Sequence, residues 1–386
     1  MASCDFDADL QDLEPFFERY HAMTGWAEAV AGAGAAVTVV QRFRRDAVVR
    51  RGPVEYRFVA YGGTRSPLAW ALGTRLVREI GATRPDAVHV DGLVFPGLVG
   101  CLRARLPRRA AIVVQDHGGA GVEAGGMRNP AKRLLYGAGL GAADGFMFTA
   151  RAQAEPWLSA GVIRARHAVY EVPESSTDMA SWGAAADAGA GLPGRPAMLW
   201  VGRLDTNKDP LTVLDGFARA APSLPDAALT LVYGDDVELP AVQAWLGVHP
   251  ELRARVHLRG RLERKALPAL YRSADIFVLG SHREVACFSL IEALSCGVTP
   301  VVTDIPAFRT LTAGGRIGVL FAPGNADALA RAIVTASQGD AGARRRSVRA
   351  HFEGELSWPA VGARALAAYR SAAAARRAKV GARWPA

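Results

Sequence analysis

The chain has 386 residues, half of them hydrophobic and 22% charged, and carries a formal net charge of +9. That length suits two domains of ordinary size, each with its own core. No apolar run is long enough to span a bilayer, and the acidic opening Met1-Ala2-Ser3-Cys4-Asp5 is no secretory signal. Cys4, Cys101, Cys287 and Cys296 form no CxxC pair, which points to a reducing, cytoplasmic setting. Arg clusters at 42–45, 50–51, 103–109, 344–346 and 376–377 are dispersed along the chain. No helix-turn-helix, zinc or stacking-aromatic motif accompanies them, so nucleic acid is not expected as a partner. Solvated faces of an Arg- and Ala-rich chain are the simpler reading. Peripheral contact with an anionic membrane, at its inner face, is the alternative.

Apolar spacing predicts a helix over 11–34, with Phe16, Phe17, Tyr20 and Trp26 on one side. Strands follow over 37–40 and 56–60. A helix over 68–80 carries Leu68, Leu72, Leu76, Val77 and Ile80 at helical spacing. Next come a strand over 87–90, a helix near 96–104, a strand over 111–114, a helix near 130–140 and a strand over 145–148. Strands alternating with helices mean a doubly wound sheet. Residues 183–196 are Gly-, Ala- and Pro-rich and read as a linker. Within them Gly189 to Gly194 matches GxGxxG literally, but it follows no strand and contains Pro193, so it is no dinucleotide site. A second sheet is expected from strands at 198–201, 229–233, 256–258, 276–279 and 301–302, and a last helix over about 358–379. The domains are therefore drawn as 1–182, a linker 183–196, 197–357, and a C-terminal helix in 358–386.

Two segments carry chemistry. The apolar run 276–279 leads into Ser281-His-Arg-Glu284-Val-Ala-Cys-Phe288-Ser-Leu-Ile-Glu292, and a second apolar run begins at Val298. This reads as strand, loop, helix, strand. Ligands in an open parallel sheet bind outside the carboxyl ends of its strands. Glu284 lies in the loop at such an end and Glu292 in the next helix. Two carboxylates there suit a polyhydroxylated ligand, whose vicinal hydroxyls donate to them. Upstream, a buried-strand pattern over 198–201 runs into Gly202-Arg203-Leu-Asp-Thr-Asn-Lys208. Gly202 permits a tight exit from the strand. Arg203 offers a planar fork to phosphate, and Lys208 a compact point charge. Two cations with two carboxylates fit a ligand that has a diphosphate and sugar hydroxyls. Neither GxSxG nor HExxH occurs, and no Cys/His cluster has metal spacing, so no metal and no separate cofactor are expected.

Val201 to Lys208, Ser273 to Leu279 and Glu284…Glu292, in that order and spacing, resemble the retaining GT-B glycosyltransferases of the "glycosyl transferases group 1" family. Weaker matches lie at 86–91, 112–118 and 144–149. The resemblance implies a GT-B fold of two Rossmann-like, doubly wound domains facing across a cleft. The N-terminal domain would hold an acceptor of unknown identity, and the C-terminal domain a nucleotide-diphosphate sugar. It implies that the last helix crosses back onto the N-terminal domain. It gives Arg203 and Lys208 the leaving diphosphate, Glu284 the donor-sugar hydroxyls, and Glu292 the ribose. Gly202 and the loop Val285, Ala286, Cys287, Phe288 would also contact the donor. His117 would face the donor sugar, and His89, Asp91 and Asp116 would line the acceptor side. Asp235-Asp236 stand where the family often has a Gly-rich loop.

Two departures stand out. The family has Gly where Val285 and Cys287 stand, and β-branched Val285 does not take a positive φ cheaply. The family also opens with a strand ahead of the first helix, which this chain lacks on this reading, or its start lies upstream. Nucleotide-sugar epimerisation or hydrolysis, a pseudo-glycosyltransferase, or an inactive GT-B binding protein are the alternatives. The paired acids could also suggest a glycosidase, but a hydrolase has no leaving phosphate for Arg203 and Lys208 to hold.

Overall fold

A computed structural model of the protein describes residues 1–3, 7, 9–60, 74–118, 127–182 and 191–383. The chain divides into two compact units, Met1–Ser175 with Trp358–Ala386, and Ser176–Ser357.

The first unit is built on an eight-stranded sheet. Its strands are β1 (Ala2–Ser3), β2 (Val37–Phe43), β3 (Ala47–Arg51), β4 (Val54–Ala60), β5 (Ala87–Asp91), β6 (Ala111–Gln115), β7 (Gly145–Phe148) and β8 (Ala168–Glu171). Their order is β3-β4-β2-β1-β5-β6-β7-β8. All pairs are parallel except β3 with β4. Every residue of β6 is buried, as expected of a strand covered on both faces. The long helix Trp358–Arg383 belongs to this unit and packs on the helix His21–Gly32. Glycines set how closely they meet. A Cβ on Gly362 would lie 2.2 Å from the Ala29 carbonyl oxygen, and one on Gly25 would lie 2.4 Å from the Trp358 ring.

Several expectations change here. The opening strand put in doubt by the sequence is present. Ala2 pairs with Val40 on β2 and with Val90 on β5, and the Met1 ammonium donates to the Thr38 carbonyl at 2.8 Å. Two residues carry no alternation to read. The helix expected over 11–34 is two helices, Leu13–Arg19 and His21–Gly32, broken where Tyr20 leaves helical geometry (φ −97, ψ 33). Strand β3 was not foreseen: its half-exposed pattern is that of an edge strand. The helix Thr74–Ala82 buries Leu76, Val77 and Ile80, while Leu68 and Leu72 lie outside the described residues.

The second unit holds a six-stranded, wholly parallel sheet. Its strands are β9 (Ala197–Gly202), β10 (Ala228–Tyr233), β11 (Val256–Leu258), β12 (Ile276–Leu279), β13 (Thr299–Thr303) and β14 (Val319–Phe321), in the order β11-β10-β9-β12-β13-β14. The unit begins upstream of the 183–196 boundary drawn from the sequence, because Met179 and Leu192 are both buried in its core. Residues 183–190 lie outside the described residues.

Part of the Arg surplus is structural. Arg345 donates to the carbonyls of Cys296 (2.9 Å) and Ala274 (2.5 Å). Arg255 donates to those of Ala227 (2.8 Å) and Leu224 (2.6 Å). In the first unit Arg103 donates to those of Ala142 (3.1 Å) and Ala110 (3.0 Å) and pairs with buried Asp144. These guanidiniums satisfy carbonyls at the ends of helices and strands, which must otherwise find other partners.

Candidate functional site

The second sheet reverses its strand order between β9 and β12, which are hydrogen-bonded neighbours. The crevice outside the carboxyl ends of two such strands is where open α/β sheets bind ligands. Arg203 and Lys208 follow β9, and Glu284 follows β12. The two motifs, remote in sequence, are thus brought to one place by a single strand pairing.

Gly202 acts differently from the sequence expectation. It ends β9 without a positive φ. What it supplies is room, since a Cβ there would lie 3.2 Å from the Trp200 ring and 3.5 Å from the Lys208 side chain. The unusual backbone is at Asp209, in the left-handed region with φ 45 and ψ 62. Asp209 caps the helix Pro210–Ala220 by accepting from the Thr212 N–H at 3.1 Å. Its other oxygen lies 2.9 Å from His282 Nε2. Gly280, just after β12, lets this turn close in, because a Cβ there would lie 2.9 Å from the Asp209 carbonyl oxygen. Lys208 is thereby pinned against the end of β12.

Lys208 and Glu284 form an ion pair, with Nζ donating to Oε1 at 2.6 Å and each side chain 11% exposed. Burial alone would lower the Lys208 pKa, but the Cys287 sulfur and the Glu284 carboxylate beside it raise it, so Lys208 keeps its charge. Glu292 is buried on the helix Phe288–Ser295. Its Oε2 accepts from Tyr271 Oη at 3.0 Å, and its Oε1 lies 3.6 Å from Arg264. Burial pushes its carboxyl above the ordinary range, against the opposing pull of Arg264 and Tyr271. Arg203 is 59% exposed and sits 3.2 Å from Asp205.

All four charged residues line one cavity of about 380 Å³. Gly202, Ala286, Cys287, Phe288, Arg261 and Tyr233 line it too. Val285 does not line it, and neither do Asp235 and Asp236. Val285 adopts no positive φ, so the loop forms without the strain its sequence suggested. Cys287 is buried and its thiol is pushed up by burial, which suits packing and not nucleophilic attack. Sequence reasoning missed Arg261, Arg264, Tyr271 and Gly280. Each is an ordinary residue type whose role depends on which strands are neighbours.

His117 lies in the first unit, just past β6. Its Nε2 is paired with Asp91 at the end of β5, and its Nδ1 is 3.0 Å from Glu174. Burial opposes the charged form, but the two carboxylates outweigh it and hold His117 well above the usual imidazole pKa. His89 is buried, with Nδ1 2.7 Å from Tyr369 Oη, and burial lowers its pKa to about 3. Asp116 is also buried and accepts from the Gly118 N–H at 3.1 Å. Glu174 and Tyr369 were not foreseen.

Among the described residues, no helix is long and apolar enough to cross a membrane. Residues 188–350 match the family "Glycosyl transferases group 1", and residues 23–170 match "Glycosyltransferase Family 4". Curated relatives include mannosylfructose-phosphate synthase of Agrobacterium fabrum, 35% identical over 112 residues, which are 28% of this chain and 25% of that protein. Glycogen synthase of Mycobacterium tuberculosis is 29% identical over 185 residues, 46% of this chain and 43% of the relative. Phosphatidyl-myo-inositol mannosyltransferase of Mycobacterium leprae is 28% identical over 46% of each chain. The matched region thus spans at most about half of these curated relatives. Among solved structures, sucrose-phosphate synthase from Thermosynechococcus elongatus superposes with a TM-score of 0.67 at 21% identity, covering 97% of this chain and 99% of that one. A glycosyltransferase from Rickettsia africae superposes with a TM-score of 0.70 at 14% identity, covering 96% and 97%. Taken with the two sheets, one mostly and one wholly parallel, these matches identify the chain as a GT-B-fold member of the group 1 glycosyltransferases.

Proposed function

We propose that the protein transfers a sugar from a nucleotide-diphosphate sugar to an acceptor hydroxyl, with retention of anomeric configuration. The observation that carries this reading is the convergence of Arg203, Lys208, Glu284 and Glu292 on one cavity at the reversal point of the second sheet. The relatives' names describe sugar-transferring enzymes, in keeping with it.

The chemistry follows from charge. The bond between the anomeric carbon and the diphosphate oxygen breaks, and negative charge grows on the leaving group. Lys208 donates one N–H to Glu284 and a second, more weakly, to Cys287 Sγ at 3.9 Å, which leaves the third for a phosphate oxygen. Arg203, more exposed, adds its fork. Preorganised charge of this kind is usually the largest catalytic contribution, and here it takes the place of a metal at the diphosphate. A bond then forms from the acceptor oxygen to the anomeric carbon on the same face, and the acceptor proton passes to the leaving diphosphate. Glu292, fixed by Tyr271, accepts from the ribose hydroxyls. Glu284, held by Lys208, accepts from sugar hydroxyls. The Val285-to-Cys287 loop, without the family's glycines, sets the shape of the sugar pocket through Ala286 and Cys287. In this reading His117 orients groups on the acceptor-binding unit.

A thermal-shift screen against a panel of nucleotide-diphosphate sugars tests the proposal, because a ligand bound only by the folded state raises the melting temperature. One donor should stabilise the protein and, with its acceptor, release nucleoside diphosphate. An inverted anomer in the product would overturn the retention claim. A panel that stabilises nothing would overturn the donor assignment.

A further inference from the structure

The first sheet reverses its strand order between β1 and β5. His89 and Asp91 are two apart on β5, so they lie on one face of the strand. His117 arrives from just past β6, the next strand. One ligating atom from each of the three residues lies within 4.8 Å of the others.

The way each ring is held sharpens this. His89 is 4% exposed, and its Nε2 is buried with no hydrogen-bond partner. An orphaned buried nitrogen of this kind calls for an explanation. Its Nδ1 faces Tyr369 Oη at 2.7 Å, and that phenol also accepts from Trp26 Nε1 at 3.1 Å. A cation at Nε2 would select the tautomer in which Nδ1 carries the proton and donates to Tyr369. His117 is placed differently, with Nε2 already paired with Asp91 and Nδ1 in ion-pair contact with Glu174 Oε2 at 3.0 Å, outside hydrogen-bond geometry. Each imidazole thus has an oxygen at its outer nitrogen, hydrogen-bonded in His89 and in charge contact in His117, and such partners commonly fix metal-ligating histidines.

The geometry points to a divalent-cation site, best suited to Zn²⁺, formed by His89 Nε2, His117 Nε2 and the Asp91 carboxylate, with Glu174 and Tyr369 as positioning residues. Two imidazoles and one carboxylate are a donor set that zinc takes with a fourth position open to water or a ligand oxygen. Zinc bonds of about 2.0–2.2 Å place tetrahedral donors about 3.4 Å apart. Binding therefore requires the His117–Asp91 pair to open and His89 to close in. His117 is a third exposed and Asp91 17%, which lets an ion reach these two residues from solvent. The site lies wholly in the first unit and does not depend on the donor reading given above.

The test uses the full chain, stripped with chelator and titrated with Zn²⁺ by calorimetry and with Co²⁺ by visible absorption. One ion per chain, with the Co²⁺ spectrum of a four- or five-coordinate site, is expected. His117→Gln and Asp91→Asn should each weaken binding by at least about 100-fold, and Glu174→Gln or Tyr369→Phe by about 10- to 100-fold. His89→Gln should behave like His117→Gln. If burial of His89 prevents that variant from folding, checked by circular dichroism, the more exposed His117 and Asp91 variants still decide. Failure to bind either ion, or equal binding by the His117→Gln and wild-type proteins, overturns the assignment.

Discussion

The two sheets reverse their strand order at corresponding places but put different chemistry there. At β9 and β12 the crevice holds cations beside carboxylates and opens into a cavity of about 380 Å³. Beside the reversal of the first sheet, β5 and its neighbour β6 bring together His89, held by Tyr369, and His117, between Asp91 and Glu174. The topology supplies a ligand position in both units, and the loops decide what each can take. In the readings proposed above, the second unit takes an anion with hydroxyls and the first a cation.

The largest effect should come from Lys208, which serves both the site and its support. Lys208→Met should lower kcat by about 10²- to 10³-fold. It should also destabilise the protein by about 3 kcal/mol, because the Glu284 carboxylate, only 11% exposed, loses its cationic partner. Adding Glu284→Gln should recover most of the stability, read by urea denaturation, and none of the turnover. Recovery of both would mean that the pair is structural. Arg203→Ala sharpens the contrast from the exposed side. It should lower turnover by about 100-fold while the melting temperature stays put, since an exposed ion pair contributes only about 0–1 kcal/mol.

Gly280→Ala should act through the backbone. The new Cβ meets the Asp209 carbonyl, so a loss of about 1–3 kcal/mol is expected, together with weaker donor binding as Lys208 shifts. Gly247→Ala, in the helix Leu239–Val248 with open space around it, is the control and should stabilise by about 0.5–1 kcal/mol. The smallest effect is at Glu292. Glu292→Gln should raise the donor KM by about 10-fold, as expected for one charge-assisted hydrogen bond. Its raised folded-state pKa sets the pH behaviour. The native state holds this proton more tightly than the unfolded chain, so this group's contribution to stability falls as pH rises through its folded pKa. Donor affinity runs the other way and should begin to fall, on acidification, at a higher pH than an ordinary Glu would give. Both slopes should vanish in Glu292→Gln, measured by denaturation and donor titration across pH.

The second unit was more legible in the sequence than the first, for physical reasons. Its strands are continuous apolar runs such as 276–279, and Arg203, Lys208, Glu284 and Glu292 sit at fixed offsets from them. What stayed hidden was second-layer support. Tyr271 reaches Glu292 across 21 positions, from the helix before β12 to the helix after it, and Gly280 makes room for Asp209 across 71, an approach that the pairing of β9 with β12 creates. In the first unit β1 is two residues long and β3 is a polar edge, so neither shows a period. Glu174 and Tyr369 come to their histidines from 57 and 280 positions away with no motif to mark them.

The most direct test of the central claim is calorimetric titration of nucleoside diphosphates into the wild-type protein, Arg203→Ala and the Lys208→Met/Glu284→Gln double variant. One nucleotide per chain should bind the wild type, with affinity at least about 10-fold weaker in each variant. If no nucleoside diphosphate binds, or both variants bind as tightly as the wild type, these side chains do not hold a diphosphate and the account fails.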